Sequence, residues 1–135
     1  MKRFDDEWGL RQQAKADKEG ASVDDFSADL VAKARVIYRA RRKRDRKFAA
    51  AGLFEDPAWD ILLSLIIDEA DGRATSVSSA CISACVAATT ALRWIDKMLR
   101  LGLMYREPDP FDGRRHYVRL TPDARRRMAR ALASI

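Results

Sequence analysis

At 135 residues the chain has room for one ordinary domain, which excludes a large multidomain enzyme. Hydrophobic residues make up 47% and charged residues 34%, enough for a compact core inside a strongly charged surface. The 26 Lys and Arg against 20 Asp and Glu leave a net charge of +6, and the isoelectric point near 9.7 points to a polyanionic partner such as nucleic acid.

Arg outnumbers Lys by 19 to 7. Its planar donor fork suits phosphate oxygens and guanine edges, although a GC-rich genome would enrich Arg and Ala as well. Met1 to Gly20 is polar and has no apolar segment of the kind a signal peptide needs. The longest strongly apolar run, Ile61 to Ile67, is too short to cross a bilayer. These features predict a cytoplasmic protein with no membrane role. Cys81 and Cys85 are too few for a disulfide framework and would stay reduced inside a cell.

Charge is distributed unevenly. Residues 1–29 hold 5 Lys and Arg against 8 Asp and Glu, net −3, while residues 30–135 hold 21 against 12, net +9. Residues 1–26 therefore read as an acidic, poorly ordered arm. From Ser27, a plausible N-cap, Leu30, Ala34, Ile37 and Tyr38 recur at helical spacing before the basic run Arg41 to Lys47. The apolar stripe returns at Phe48, Leu53 and Phe54, so residues 27–55 are predicted to form a basic helix. A second helix begins at Asp56-Pro57, where Asp can cap free amides and Pro suits the first turn. Trp59, Ile61, Leu62, Leu63, Leu65, Ile66 and Ile67 run nearly all round it, as expected of a central helix ending near Asp71-Gly72.

Ser76 to Cys85 predicts a short third helix with Ser76 as N-cap and Ala80, Cys81 and Ala84 facing inward. A turn at Val86-Ala87 leads to a fourth helix over 88–101, carrying Ala91, Trp94, Ile95 and Met98 on one face and stopped by Gly102. Two short helices joined by a tight turn make a helix-turn-helix. Leu103 to Glu107 and His116 to Leu120 are strand-like, with residues 108–115 between them full of turn formers. That loop reads as too long for a two-residue hairpin and as an Arg-tipped wing. Thr121-Pro122-Asp123 caps a last helix. The fold class is therefore mainly α with a small β-wing, a winged helix-turn-helix over 56–135 with a helical N-terminal extension.

Ser76 to Thr121 resembles the reading unit of MarR-type transcription regulators. The likeness rests on the two-helix unit, Arg93 and Asp96 on its second helix, Gly102-Leu103, Asp112-Gly113-Arg114-Arg115 and Val118-Arg119-Leu120-Thr121. It covers about a third of the chain, and Asp56 to Arg73 extends it as the helix preceding that unit. The resemblance implies a dimeric, sequence-specific regulator of double-stranded DNA. Helix 88–101 would read the major groove and wing 108–115 the minor groove, with repression favoured over activation. It places the protein in the bacterial cytoplasm, associated with the nucleoid. A small-molecule effector is allowed by the resemblance but not indicated.

Groove physics assigns the same roles. A helix fits the major groove, and residues near its N-terminus come closest to the base edges. Here these are Ala88, Thr89, Thr90, Leu92, Arg93 and, further along, Lys97. Arg93 is the candidate guanine contact, while Ser76 and Ser78 suit the DNA backbone. Arg114 and Arg115 are expected at the minor groove or its phosphates. Asp112 supports the wing by holding an arginine, a role the resemblance implies.

The chain departs from the family pattern where Ala87 replaces a common Ser cap, Cys85 a common Gly, and apolar Leu92 a common polar residue. Leu92 is open to two readings, contact with a thymine methyl or packing on the protein. Only 15 residues follow Leu120, where the family has two longer dimer helices, so the basic helix and the last helix are the expected dimer contacts. Arg41, Arg42, Lys43 and Arg44 are candidates for DNA-backbone or partner contact, with a solvated helix face as the alternative.

Arg125, Arg126, Arg127 and Arg130 read as surface charge. Cys81 and Cys85 read as small buried residues rather than as a metal or redox pair, and His116 as a packing residue. Trp59 and Trp94 read as core, while Trp8 in the acidic arm has no assigned role. With a single His and no phosphate-cradling glycine loop, the residues assemble no catalytic constellation, metal site or cofactor site. Two rivals stay open, a winged-helix protein-interaction module and a nucleic-acid binder without sequence preference.

Overall fold

The computed structural model describes residues 26–49 and 52–135. The acidic arm and Trp8 lie outside these residues, apart from Phe26. Among the described residues are five helices, α1 Ala28–Phe48, α2 Pro57–Ala70, α3 Val77–Ser83, α4 Ala88–Arg100 and α5 Pro122–Ala133. With them are three strands, β1 Thr75–Ser76, β2 Met104–Asp109 and β3 Asp112–Leu120.

α1 starts where the Ser27 hydroxyl accepts the Leu30 N–H at 3.3 Å. Ala34 is fully buried, with Leu30, Val31, Ile37 and Tyr38 packed around it, so the helix belongs to the core. It stops at Phe48, short of the predicted run to residue 55. Ala49 turns left-handed at φ 47°, and Phe54 folds back to meet Phe48 edge-on with ring centroids 5.0 Å apart. Arg44 lies 4.2 Å over the Phe54 ring and donates to the Phe54 carbonyl at 3.2 Å. The apolar residues Phe48 and Phe54 thus close a hook rather than extend a stripe.

α2 begins at Pro57 as its sequence predicts, but Asp56 makes no side-chain cap. Its Ile61, Leu63, Leu65 and Ile66 are buried on several sides, which makes it the central helix. α3 and α4 pack on it and on each other through Ala80, Ala84, Ala91, Ile95 and Met98. Ser76 caps α3, accepting the Ser79 N–H at 3.1 Å. The predicted helix to Cys85 ends at Ser83, because Cys85 sits left-handed at φ 55° in the turn. Cys85 is exposed and Cys81 half-buried, so only Cys81 fits the packing role read for both. α4 ends at Arg100 with Leu101 as its C-cap, and Gly102 just beyond, at φ 73°, lets the Leu103 N–H return to the Met98 carbonyl at 3.0 Å.

The sheet is antiparallel in the order β1-β3-β2. Thr75 faces Val118 across β1 and β3, and Met104 faces Leu120 across β2 and β3. The wing corrects the sequence reading, since only Pro110 and Phe111 separate the strands and Asp109 faces Asp112. β2 is an edge strand, where Pro108 is tolerated, with a register shift between Pro108 and Asp109. The Asp109 carboxylate closes the turn by accepting the Phe111 N–H at 2.8 Å and the Tyr117 hydroxyl at 3.1 Å. His116, half-buried, faces Pro108 across the strands.

Thr121 caps α5 by accepting the Ala124 N–H at 3.2 Å, and Ala124, Met128 and Leu132 are buried. Arg125 is a further correction: it is buried, not surface charge. Its guanidinium donates to both Glu69 oxygens at 2.6 Å and lies 4.9 Å over the Phe26 ring. Arg119 joins the same carboxylate at 2.7 Å.

Candidate nucleic-acid interface

At 100° per residue, burying Ala91, Ile95 and Met98 turns Thr89, Arg93, Asp96 and Arg100 outward along the opposite face of α4. Ala88, Thr89, Leu92, Arg93 and Lys97 are exposed, and Thr90 is half-buried. Asp96 pairs with Arg100 at 3.1 Å in an exposed i,i+4 bridge, worth only a few tenths of a kcal/mol. The Lys97 ammonium lies 5.2 Å from the centre of the Trp94 ring, which steadies its stem along the helix.

The N-terminus of α4 has no side-chain cap. Ala87 holds φ −57° and ψ 144°, close to the cap geometry of Ser76 and Thr121, but lacks the oxygen they use. Ala87→Ser is therefore expected to raise stability by about 1 kcal/mol. Urea denaturation would show the midpoint rising with an unchanged slope; an unmoved midpoint would mean that the amides already have an adequate partner.

Ser76 and Ser78 divide. The Ser76 hydroxyl accepts from the Ser79 N–H and donates to the Ser79 hydroxyl at 3.0 Å, so it is already engaged in capping. Ser78 is exposed. At the wing tip the Arg114 side chain is 96% exposed. Asp112 accepts its backbone N–H at 3.0 Å and lies 3.6 Å from its guanidinium, which orients the arginine without covering it. Arg115 is exposed, its charged form further favoured by hydrogen bonding to Tyr117. Asp109 and Tyr117 brace the wing and were not singled out in the sequence, although Asp before Pro-Phe is a turn-forming signal.

Half of the basic run is turned toward the protein, namely Arg41, Arg42 and Arg44, while Lys43, Arg46 and Lys47 are exposed. Arg41 meets the buried Asp60 carboxylate at 2.6 and 3.1 Å, and Arg42 meets it at 3.0 Å. The Asp60 hydrogen bond holds Arg41 more firmly in its charged form. Arg42 also contacts Asp45, the face of Tyr38 and the Cys85 sulfur. Of Arg41, Arg42, Lys43 and Arg44, only Lys43 is exposed. The other three bind the protein itself, a role their sequence did not reveal. Burial pushes the Cys81 thiol above its usual range. No group of three or more His, Cys, Asp or Glu able to hold a metal occurs among the described residues. Among those residues no single helix is long and apolar enough to cross a membrane.

No protein-family model matches the chain, and no curated protein matches it. Solved structures do. The PcaV transcriptional regulator from Streptomyces coelicolor, in complex with its natural ligand, is 22% identical at a TM-score of 0.50, covering 70% of this chain and 67% of that one. A mutant of S. aureus MepR is 18% identical at a TM-score of 0.50, covering 81% and 76%. A probable transcriptional regulator from Pseudomonas aeruginosa is 24% identical, covering 73% and 74%, at a TM-score of 0.48. With its helix-turn-helix, three-stranded sheet and wing, the chain has the winged helix-turn-helix fold of these solved proteins.

Proposed function

We propose that the chain is a non-enzymatic, sequence-specific regulator that binds double-stranded DNA as a homodimer and represses transcription. α4 enters the major groove and the β2–β3 wing reaches the adjacent minor groove. The observation that carries this reading is that a helix of groove-fitting size and a projecting hairpin both present outward cations. Arg35, Arg41, Arg42, Arg119 and Arg125 are taken up by Asp71, Asp60 and Glu69. Lys43, Arg46 and Lys47 on α1 and Arg126, Arg127 and Arg130 on α5 are exposed as well, but Arg93 and Lys97 on α4 and Arg114 and Arg115 on the wing are exposed on the elements shaped to enter a groove. A positive surface built on a helix that fits a groove and on a projecting hairpin suits duplex DNA. Ser78 and Lys43 are further backbone contacts in this reading, and the outer faces of α1 and α5 form the dimer.

The two groups of cations are expected to fail differently. Arg93→Ala costs about 1–3 kcal/mol on the preferred duplex and relaxes preference at one base pair. Arg114→Ala with Arg115→Ala weakens all duplexes about equally and flattens the salt dependence by about one phosphate per lost contact. Fluorescence anisotropy on preferred and scrambled duplexes separates the outcomes. Unchanged binding by both variants would remove α4 and the wing as the interface.

A further inference from the structure

We infer that Leu92 is a specificity-determining residue that reads the C5-methyl group of a thymine close to the guanine contacted by Arg93. This rests on the proposal that α4 enters the major groove, and names one feature of its target.

Of the large apolar side chains in α4, Leu92 alone is exposed, at 47%. Ala91, Ile95 and Met98 are at 0%, 2% and 1%, so the core is complete without it. Leu92 lies beside the outward row of Thr89, Arg93 and Asp96, with exposed Ala88 one turn earlier on its own flank. An isobutyl group can neither donate nor accept a hydrogen bond, so amide, carbonyl and ring-nitrogen edges gain nothing from it. The apolar feature of the major groove is the thymine methyl, which separates T·A from C·G at a place where hydrogen-bonding side chains are blind to it. The cations Arg93 and Lys97 on the same helix supply the attraction that brings a duplex to this face. Leu92 and Arg93 are consecutive, 1.5 Å apart in rise and 100° apart round the helix, so their side chains diverge and reach different base pairs close to one another.

The test uses the full chain and duplexes enriched by it from a random pool. Each thymine of the enriched duplex is replaced in turn by deoxyuridine, which removes only the methyl group. Affinity is expected to fall about three- to fivefold at one thymine close to a guanine in each half-site, the worth of one buried methyl. Leu92→Ala is expected to bind the thymine and uracil duplexes alike, with an unchanged thermal transition because the side chain is outside the core. Specific binding that tolerates uracil everywhere, or enriched duplexes with no thymine close to the guanine, overturns the inference and leaves the regulator standing. So does uracil sensitivity that persists in Leu92→Ala. Failure to enrich any duplex sequence overturns the regulator and this inference together.

Discussion

Replacing Asp60 by alanine is expected to destabilise the protein by about 3–5 kcal/mol, a large share of the 5–15 kcal/mol typical of a domain. The Asp60 side chain is 2% exposed and faces Arg41 and Arg42, whose side chains are only 14% and 17% exposed. Removing the carboxylate leaves two mostly buried cations close together and without their shared anion. The loss exceeds what the pair contributes over an apolar pair, because stranding the partners is the costly outcome. α1 is held to α2 at this point, and Arg42 reaches on to Cys85 in the turn of the helix-turn-helix. Loosening the cluster should therefore release that turn as well. Urea denaturation of Asp60→Ala and Asp60→Asn measures the effect, and a fall below about 1 kcal/mol in both would show that apolar packing around Ala34 alone secures α1.

Glu69→Ala is the second large effect, expected at about 3 kcal/mol. Its carboxylate is the shared anion of Arg119 and Arg125, whose side chains are 9% and 10% exposed. Burial pulls the Arg119 pKa below its usual value and the Glu69 carboxylate opposes that shift. The cluster ties α2 to β3 and α5, with Phe26 under the Arg125 guanidinium. Adding Arg125→Met to Glu69→Ala should recover part of the loss, by removing one stranded charge and filling its space. A double-mutant cycle in urea reads that coupling. Additive losses would mean that Glu69 and Arg125 act independently.

These two clusters mark where the sequence was legible and where it was not. The order of the helices and the two wing strands, the Ser27, Ser76 and Thr121 caps and the inward faces of α2 and α4 follow from local signals, each contained within a turn or two of chain, whereas the two-residue β1 was not read because its pairing with β3 is long-range. The roles of Arg41, Arg42 and Arg125 do not, because their partners lie 19, 18 and 56 residues away. A run rich in arginine reads as a solvated face until a buried carboxylate such as Asp60, itself placed among apolar neighbours, is known to meet it. The wing was misread for a related reason. Pro108 and Pro110 suggest a long loop, yet an edge strand accepts Pro108 and the Asp109 carboxylate compresses the turn to two residues. Cys85 was misread because its left-handed backbone, not its side chain, decides where it points. The outward residues of α4 were accessible from periodicity alone, since an amphipathic helix declares both its faces at once.

Equilibrium binding of the purified chain tests the central claim most directly, on duplex from its own upstream region and on a scrambled duplex, from 50 to about 200 mM salt, over which phosphate contacts change affinity steeply. The account predicts tight binding to one duplex, at least a hundredfold weaker binding to the scramble and an affinity that falls by orders of magnitude across the series. Equal affinity for both duplexes, or weak binding insensitive to salt, would contradict it.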